Sequence, residues 1–377
     1  MIMRKEEILL NQLIDGSTPE RSKFNIEGTK KKMGWNYIDG VMGKALLDLY
    51  DFNHNEKYLE FLDEYIGFYI DEEGNIKGFE LEKYNIDSIN CGKVLFRLYD
   101  YTKKEKYRKA IDTIYNQIKT HPRISTGNFW HKKIYPNQVW LDGIYMCLPF
   151  YMEYETKYNK LAQYNDIHNQ ILNVYNLMSS PDTKLPHHAY DETKKAFWCD
   201  KETGMSKNYW SRSVGWYLMA LIDIIDIMNE AIYEHKRDYM KIFKEAVDGL
   251  LQYVDKETGM LYQVVNMPNR EGNYLETSGS SMLAYALLKG VRLDVLPERY
   301  LEYGIKTYNG IVDKYLKCED GEYYLDGICL VAGLGPEDNK RRDGSFEYYI
   351  SEPIVRNDGK GSGPFFMAYC EMLKIGK

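Results

Sequence analysis

Long apolar runs are missing from this chain. No stretch of its 377 residues approaches the length of a membrane span, so no membrane association is expected. The first residues, MIMRKEEILLNQLIDG, carry charges where a signal peptide needs an apolar run, which leads us to expect a cytoplasmic protein. Basic excess is missing too. With 49 Lys and Arg against 56 Asp and Glu, the net charge of -7 argues against a nucleic-acid partner. Cysteine is sparse. Cys91, Cys147, Cys199, Cys318, Cys329 and Cys370 are too far apart in sequence for a metal knuckle or a redox pair. Several lie in apolar helical runs, where a reduced thiol behaves as a small hydrophobe.

What the chain has instead is tyrosine, 35 of them, and a recurring pair of helices. The first member of each pair is apolar and carries a glycine near its start: Gly40, Gly92, Gly143, Gly215, Gly279 and Gly363. Glycine inside a helix is costly and wants a reason, and close approach of neighbouring helices is one. The second members, near 56–66, 104–119, 159–178, 238–254 and 297–316, are richer in Lys and Glu, as an outward face should be. Six inner helices need six outer ones. Five follow in sequence, and the amphipathic segment 5–15 supplies the sixth. The reading is an all-α (α/α)6 barrel, one catalytic domain over 1–377. The glycines are 52, 51, 72, 64 and 84 residues apart, too uneven for an open solenoid. Short β-hairpin insertions are expected at 74–81, 321–333 and 344–350, in loops gathered at the rim above the inner-helix N-termini.

The segment YPNQVWLDGIYM (135–146) puts one carboxylate, Asp142, at the mouth of an apolar helix. Desolvation among apolar neighbours should raise its pKa, which turns a carboxyl group into a proton donor near neutral pH. The plain alternative is a helix cap. Asp87 by its spacing is better read as a cap for a helix starting at Ser88. Trp35, Tyr37, Trp210, Arg212, Trp216, Ser278 and Ser280 fall at or near inner-helix starts, and loops add Trp130, His131, Lys132, His187, His188, Tyr190 and Trp198. Singly, each has a structural reading: Arg212 pairs with a buried acid, Trp210 and Trp216 are core, and His187–His188 lack a third metal ligand. Together, Trp and Tyr with a few acids, one Arg and one or two His describe a sugar site.

Five segments carry a resemblance to a known family. FWHKKIYPNQVWLDGIYM (129–146), LPHHAYDET (185–193), WSRSVGWYLMAL (210–221), GNYLETSGSSMLAYALLKGVR (272–292) and RDGSFEYYISEPIVRNDGKGSGPF (342–365) resemble, in order, the unsaturated rhamnogalacturonyl hydrolases of glycoside hydrolase family 105. The resemblance implies an (α/α)6 barrel that removes a 4,5-unsaturated uronic acid from the non-reducing end of short pectin-derived oligosaccharides. It implies hydration of the enol ether: carbon 4 is protonated, water adds at carbon 5, and the hemiketal opens and expels the next sugar. By the same resemblance Asp142 is the general acid/base and Asp87 a second acid, which overturns its reading as a cap. His188, Arg212, Trp210 and Trp216 match sugar-contacting positions, and Tyr37 and Lys132 match less closely. Arg356 stands where the family pattern has an acid. No metal or organic cofactor is implied.

The expected partner is therefore an unsaturated uronyl oligosaccharide, taken by a monomer or weak homo-oligomer. Alternatives are the same chemistry on an unsaturated glucuronyl substrate, a plain inverting glycosidase using Asp87 and Asp142, a sugar epimerase needing a facing His pair, and a non-catalytic sugar-binding barrel.

Overall fold

The computed structural model describes residues 3–26 and 34–376. Helix α1 (Lys5–Asp15) is followed by α2 (Tyr37–Asn53) with α3 (Glu56–Gly67), and α4 (Gly92–Thr102) with α5 (Glu105–Thr120). Next come α6 (Leu141–Lys157) with α7 (Tyr164–Met178), α8 (Ser211–Ile227) with α9 (Tyr233–Leu251), and α10 (Thr277–Arg292) with α11 (Leu301–Tyr315). A short helix, α12 (Phe346–Ile350), precedes the last long one, α13 (Gly359–Lys374). In space α2, α4, α6, α8, α10 and α13 each pack on the next, and α13 returns to α2. The other long helices cover them from outside, with α1 against α13. This is the expected (α/α)6 barrel.

The sorting follows from the sequence. Helix α8 buries its whole length from Ser211 to Ile225, so it is wrapped on every side. Helix α5 buries only Tyr107, Ala110, Ile111, Ile114, Tyr115, Gln117 and Ile118, one stripe at the helical period. Two glycines show why the inner ring is tight. A Cβ on Gly40 would stand 2.6 Å from Cys91 Cα, and one on Gly279 would stand 2.7 Å from Ser211 Cβ. Closure by α1 is specific: Tyr308 donates to Glu6 at 3.1 Å and Tyr369 donates to Glu7 at 3.1 Å, tying it to α11 and α13.

The insertions differ in part from expectation. A hairpin does form by β3 (Leu316–Glu319) and β4 (Glu322–Leu325). Residues 74–81 do not make one. Asp71 caps a tight turn by accepting from Asn75, a lone bridge joins Ile70 to Ile76, and a 3-10 turn follows at Leu81–Lys83. Residues 344–350 are helical rather than extended, because Ser345 accepts from the Tyr348 amide and starts α12. Two small pairings were not foreseen: β1 (Gln138–Trp140) with β2 (Ala189–Asp191), and β5 (Ile328–Cys329) with β6 (Ile354–Val355). No helix among the described residues is long and apolar enough to cross a membrane.

Candidate active site

The pairing of β1 with β2 builds the centre of the site. Trp140 stands opposite Ala189, and the Leu141 amide donates to the His188 carbonyl at 3.0 Å. The strand therefore runs straight into α6 and delivers Asp142 in its first turn, beside His188. Asp142 is not a cap; the N-cap position is Trp140, in extended conformation. His188 Nε2 lies 3.2 Å from Asp142 Oδ2, off the line of a hydrogen bond. On its other side His188 Nδ1 is 2.8 Å from the Tyr349 hydroxyl.

The second acid arrives from the loop before α4. Asn85, not Asp87, caps the 3-10 turn Ile86–Ile89, and α4 itself starts only at Gly92. Asp87 is thereby free to face the 129–138 loop. That loop is pinned on both sides: the Ile86 amide donates to the His131 carbonyl at 3.2 Å, and the His131 amide donates to the Gln138 carbonyl at 2.8 Å. Lys132 Nζ sits 2.6 Å from Asp87 Oδ2, and His131 Nε2 sits 3.8 Å from Oδ1. Trp140 joins the two halves. Its ring stacks on His131 at 4.3 Å and meets His188 edge-on at 5.5 Å.

The electrostatics reverse one expectation. Burial pushes the Asp142 carboxyl up, as its apolar neighbours predict, but contact with His188 and the nearby His131 outweighs burial. The net result lies below the usual carboxylate value. Asp142 is thus a carboxylate at neutral pH in the free protein. His131 is pushed down to about 4, by burial first, with Asp87 opposing, and is neutral at pH 7. Burial also lowers the Lys132 ammonium's pKa, but Asp87 more than restores it. Burial does raise Asp39, to about 7, but that acid faces Asn36 and the Tyr65 hydroxyl of the outer helix α3.

The other expected residues form the wall behind the acids. Asp142, Asp87 and Lys132 keep side chains 16%, 14% and 24% exposed, whereas His188, Trp210, Arg212 and Trp216 are at 1% or below. Arg212 is held by structure: it donates to Ser278 at 2.7 Å and to the Cys329 and Leu330 carbonyls, and lies 3.8 Å from Glu276. That is its plain reading, pairing with a buried acid, and not an open anion site. Trp210 donates to Gln263 at 3.1 Å, stacks on Tyr349 and touches His188. Trp216 lies nearly two turns deeper along α8, stacked on Tyr145 at 4.7 Å. A sugar reaches either indole only after neighbouring side chains shift. Tyr37 opens α2, half-buried, near enough to Arg212 to act on its charge.

Three contributors carried too little sequence signal to be singled out. Glu276 caps α10 through the Gly279 amide and accepts from Cys329 N at 3.0 Å, tying the β5 strand to the barrel. Tyr349 comes from the segment misread as extended. Arg342 forms no ion pair among the described residues, and its Nη1 lies 3.2 Å from where a Gly333 Cβ would be, itself 3.3 Å from the Trp140 ring. Among the described residues His187 bonds no acid; its Nδ1 meets the Ser206 carbonyl, a loop contact. Arg356 bonds Glu319 at 2.9 Å and lies over Tyr324, joining β6 to the β3–β4 hairpin.

A cavity of about 350 Å³ opens at the opposite end of the barrel, near the C-terminal ends of the inner helices. Most of its charges pair: Lys289 sits 2.8 Å from Asp223, Arg97 2.8 Å from Asp48 and Arg292 2.6 Å from Glu371, while Lys93 is held by the Tyr145 carbonyl and ring. It closes the barrel floor. The unmatched chemistry is at the rim that holds Asp142.

With this geometry in hand, likeness to known proteins is informative. The model of Glycosyl Hydrolase Family 88 matches residues 12–376. A glycoside hydrolase from family 105 of C. acetobutylicum is 40% identical, with 98% of this chain and 100% of that one covered and a TM-score of 0.91. Protein Atu3128 of Agrobacterium fabrum is 34% identical over 239 residues, which are 62% of this chain and all of that protein. The unsaturated rhamnogalacturonyl hydrolase YesR of Bacillus subtilis is 22% identical over 91% of each chain. The family model spans nearly the whole barrel and the family 105 enzyme matches it end to end, so the chain belongs to the family 88/105 unsaturated uronyl hydrolases, on their family 105 side.

Proposed function

We propose that the chain, a single catalytic barrel acting in the cytoplasm, removes the 4,5-unsaturated galacturonyl residue from rhamnogalacturonan-derived disaccharides. The observation that carries this reading is Asp142, partly open to solvent in the first turn of α6 with His188 at 3.2 Å. Asp142 in its acid form protonates carbon 4. The oxocarbenium-like centre at carbon 5 then takes water, whose proton returns to Asp142. The hemiketal opens and the leaving sugar departs.

The free protein holds Asp142 ionised, so the acid must be generated on binding. The uronate carboxylate does this. A second negative charge in the site raises the pKa of Asp142 by like-charge repulsion, and exclusion of water adds to the rise. Asp87 is held by Lys132 and His131 and positions the sugar ring from the opposite side. Lys132, paired with Asp87 but 24% exposed, and Arg342, beside Trp140 and without an ion pair among the described residues, are our choice for the uronate carboxylate in place of Arg212. His188, Trp210 and Trp216 shape the pocket, with Tyr37 and Arg212 behind them. Likeness to YesR supports the galacturonyl–rhamnose substrate over a glucuronyl one.

The test is an ultraviolet absorbance time course on a rhamnogalacturonan lyase digest, with an unsaturated glucuronyl disaccharide in parallel. The conjugated enol ether absorbs and the hydrated product does not. Loss on the first substrate is the expected result. Loss on the second alone reassigns the sugar, and loss on neither in folded protein refutes the reading.

A further inference from the structure

Tyr349 is a buried phenol placed next to the chemistry and not accounted for by it. Its ring is fully buried and stacks on Trp210 at 6.2 Å. Its carbonyl accepts from Gln263 at 3.1 Å, and the same Gln263 accepts from the Trp210 indole. Ring and backbone are therefore fixed by the same neighbours that fix the wall. The hydroxyl has one hydrogen-bond partner among the described residues, His188 Nδ1 at 2.8 Å. The charged or titratable groups that act on it are Tyr348, Asp142, Asp343 and Cys329, and none of them bonds the hydroxyl.

This arrangement decides which nitrogen of His188 carries the proton. A phenol donates one hydrogen, and Nδ1 is the acceptor in reach. With Nδ1 accepting, neutral His188 keeps its proton on Nε2, which faces Asp142 Oδ2 at 3.2 Å. The opposite tautomer would turn a bare Nε2 lone pair toward a carboxylate, an unfavourable contact at that distance. If His188 gains a proton, Nδ1–H donates to the phenol oxygen and the hydroxyl simply turns. In both states an Nε2–H stands beside the acid, 3.2 Å from Oδ2 though off the line of a hydrogen bond. The phenol itself stays neutral throughout, since burial pushes its pKa well up.

We propose that Tyr349 is a positioning residue for the reaction: through His188 Nδ1 it holds an N–H toward Asp142 and so sets when Asp142 gains its proton. This rests on Asp142 being the acid/base. Groups that orient a metal-ligating imidazole through its second nitrogen contribute about 10- to 100-fold to activity, and a comparable effect is expected here.

The experiment compares wild type, Tyr349→Phe and Asp142→Asn on the unsaturated galacturonyl disaccharide, with kcat and KM measured from pH 4 to 8. Expected for Tyr349→Phe is a loss of about 10- to 100-fold in kcat, KM within about twofold, and a displaced acidic limb of the kcat/KM profile. A merely structural Tyr349 would lower the unfolding midpoint and leave that limb in place. Wild-type kcat and profile in Tyr349→Phe, with Asp142→Asn inactive, overturn the proposal alone. Activity retained in Asp142→Asn overturns the reading beneath it. Should Tyr349→Phe fail to fold, the ¹⁵N shifts of His188 in the wild-type protein decide: a proton on Nε2 supports the proposal, and one on Nδ1 overturns it.

Discussion

His131 should make this protein acid-sensitive in a defined window. It is 3% exposed, its ring is stacked on Trp140, and its pKa falls from the ordinary 6.5 to about 4. The neutral ring is thus favoured by folding. Such a group contributes stability that is complete above pH 6.5 and is lost as the pH falls through its folded value. At roughly 1.4 kcal/mol per pH unit, a fall from 6.5 to about 4 amounts to about 3 kcal/mol. That is a sizeable part of the roughly 5–15 kcal/mol that holds a typical domain. His121 is also buried, falls to the same value and acts in the same direction, while Asp39, raised to about 7, acts oppositely. Comparison with His131→Gln cancels these shared terms. The assay is urea unfolding of both proteins at pH 7, 6, 5 and 4. The advantage of wild type over His131→Gln should shrink by about 3 kcal/mol between pH 7 and pH 4, with most of the change below pH 6.5. A difference that stays constant across the range, or a His131 that titrates near 6.5 by NMR, would refute the reasoning.

Other outcomes follow from the same geometry. Asp142→Asn should lose about 1,000-fold or more in kcat while binding the unsaturated disaccharide with near-wild-type affinity, measured by calorimetry. Asp87→Asn strands Lys132 and should lose about 100-fold in kcat/KM with the fold intact by circular dichroism; wild-type kinetics would make Asp87 a structural residue. Arg212→Met leaves Glu276 buried without its cation and should cost about 3–5 kcal/mol in urea unfolding; a change confined to KM would instead make Arg212 a substrate ligand.

The barrel was legible because each ring of helices writes its environment into its own sequence. Helix α8 is apolar all round and α5 on one stripe, and inner glycines such as Gly40 mark where backbones meet. The position of Asp142 was legible too, from the apolar helix it opens. Its ionisation was not. The apolar residues beside it in sequence raise its pKa, but the two imidazoles that win come from positions 188 and 131, the first brought by the β1–β2 pairing and the second by backbone bonds of its loop to Gln138 and Ile86. Three-residue strands give no periodic signal to detect. The partners of Arg212 were not legible for a similar reason: Glu276 and the carbonyls of Cys329 and Leu330 lie far along the chain. Helix α12 was hidden because Tyr348, Tyr349 and Ile350 favour strands, and only the Ser345 cap decides otherwise.

The proposed reaction hydrates the double bond in place of attack at the glycosidic carbon. The direct measurement follows ultraviolet absorbance and released rhamnose together during the first turnovers of wild-type enzyme on the unsaturated galacturonyl–rhamnose disaccharide. Hydration at carbon 5 destroys the chromophore before the sugar leaves, so absorbance should fall mole for mole with rhamnose released and without lag. Rhamnose appearing while the absorbance holds would mean that water attacks the glycosidic carbon, and Asp142 would be the acid of a plain glycosidase.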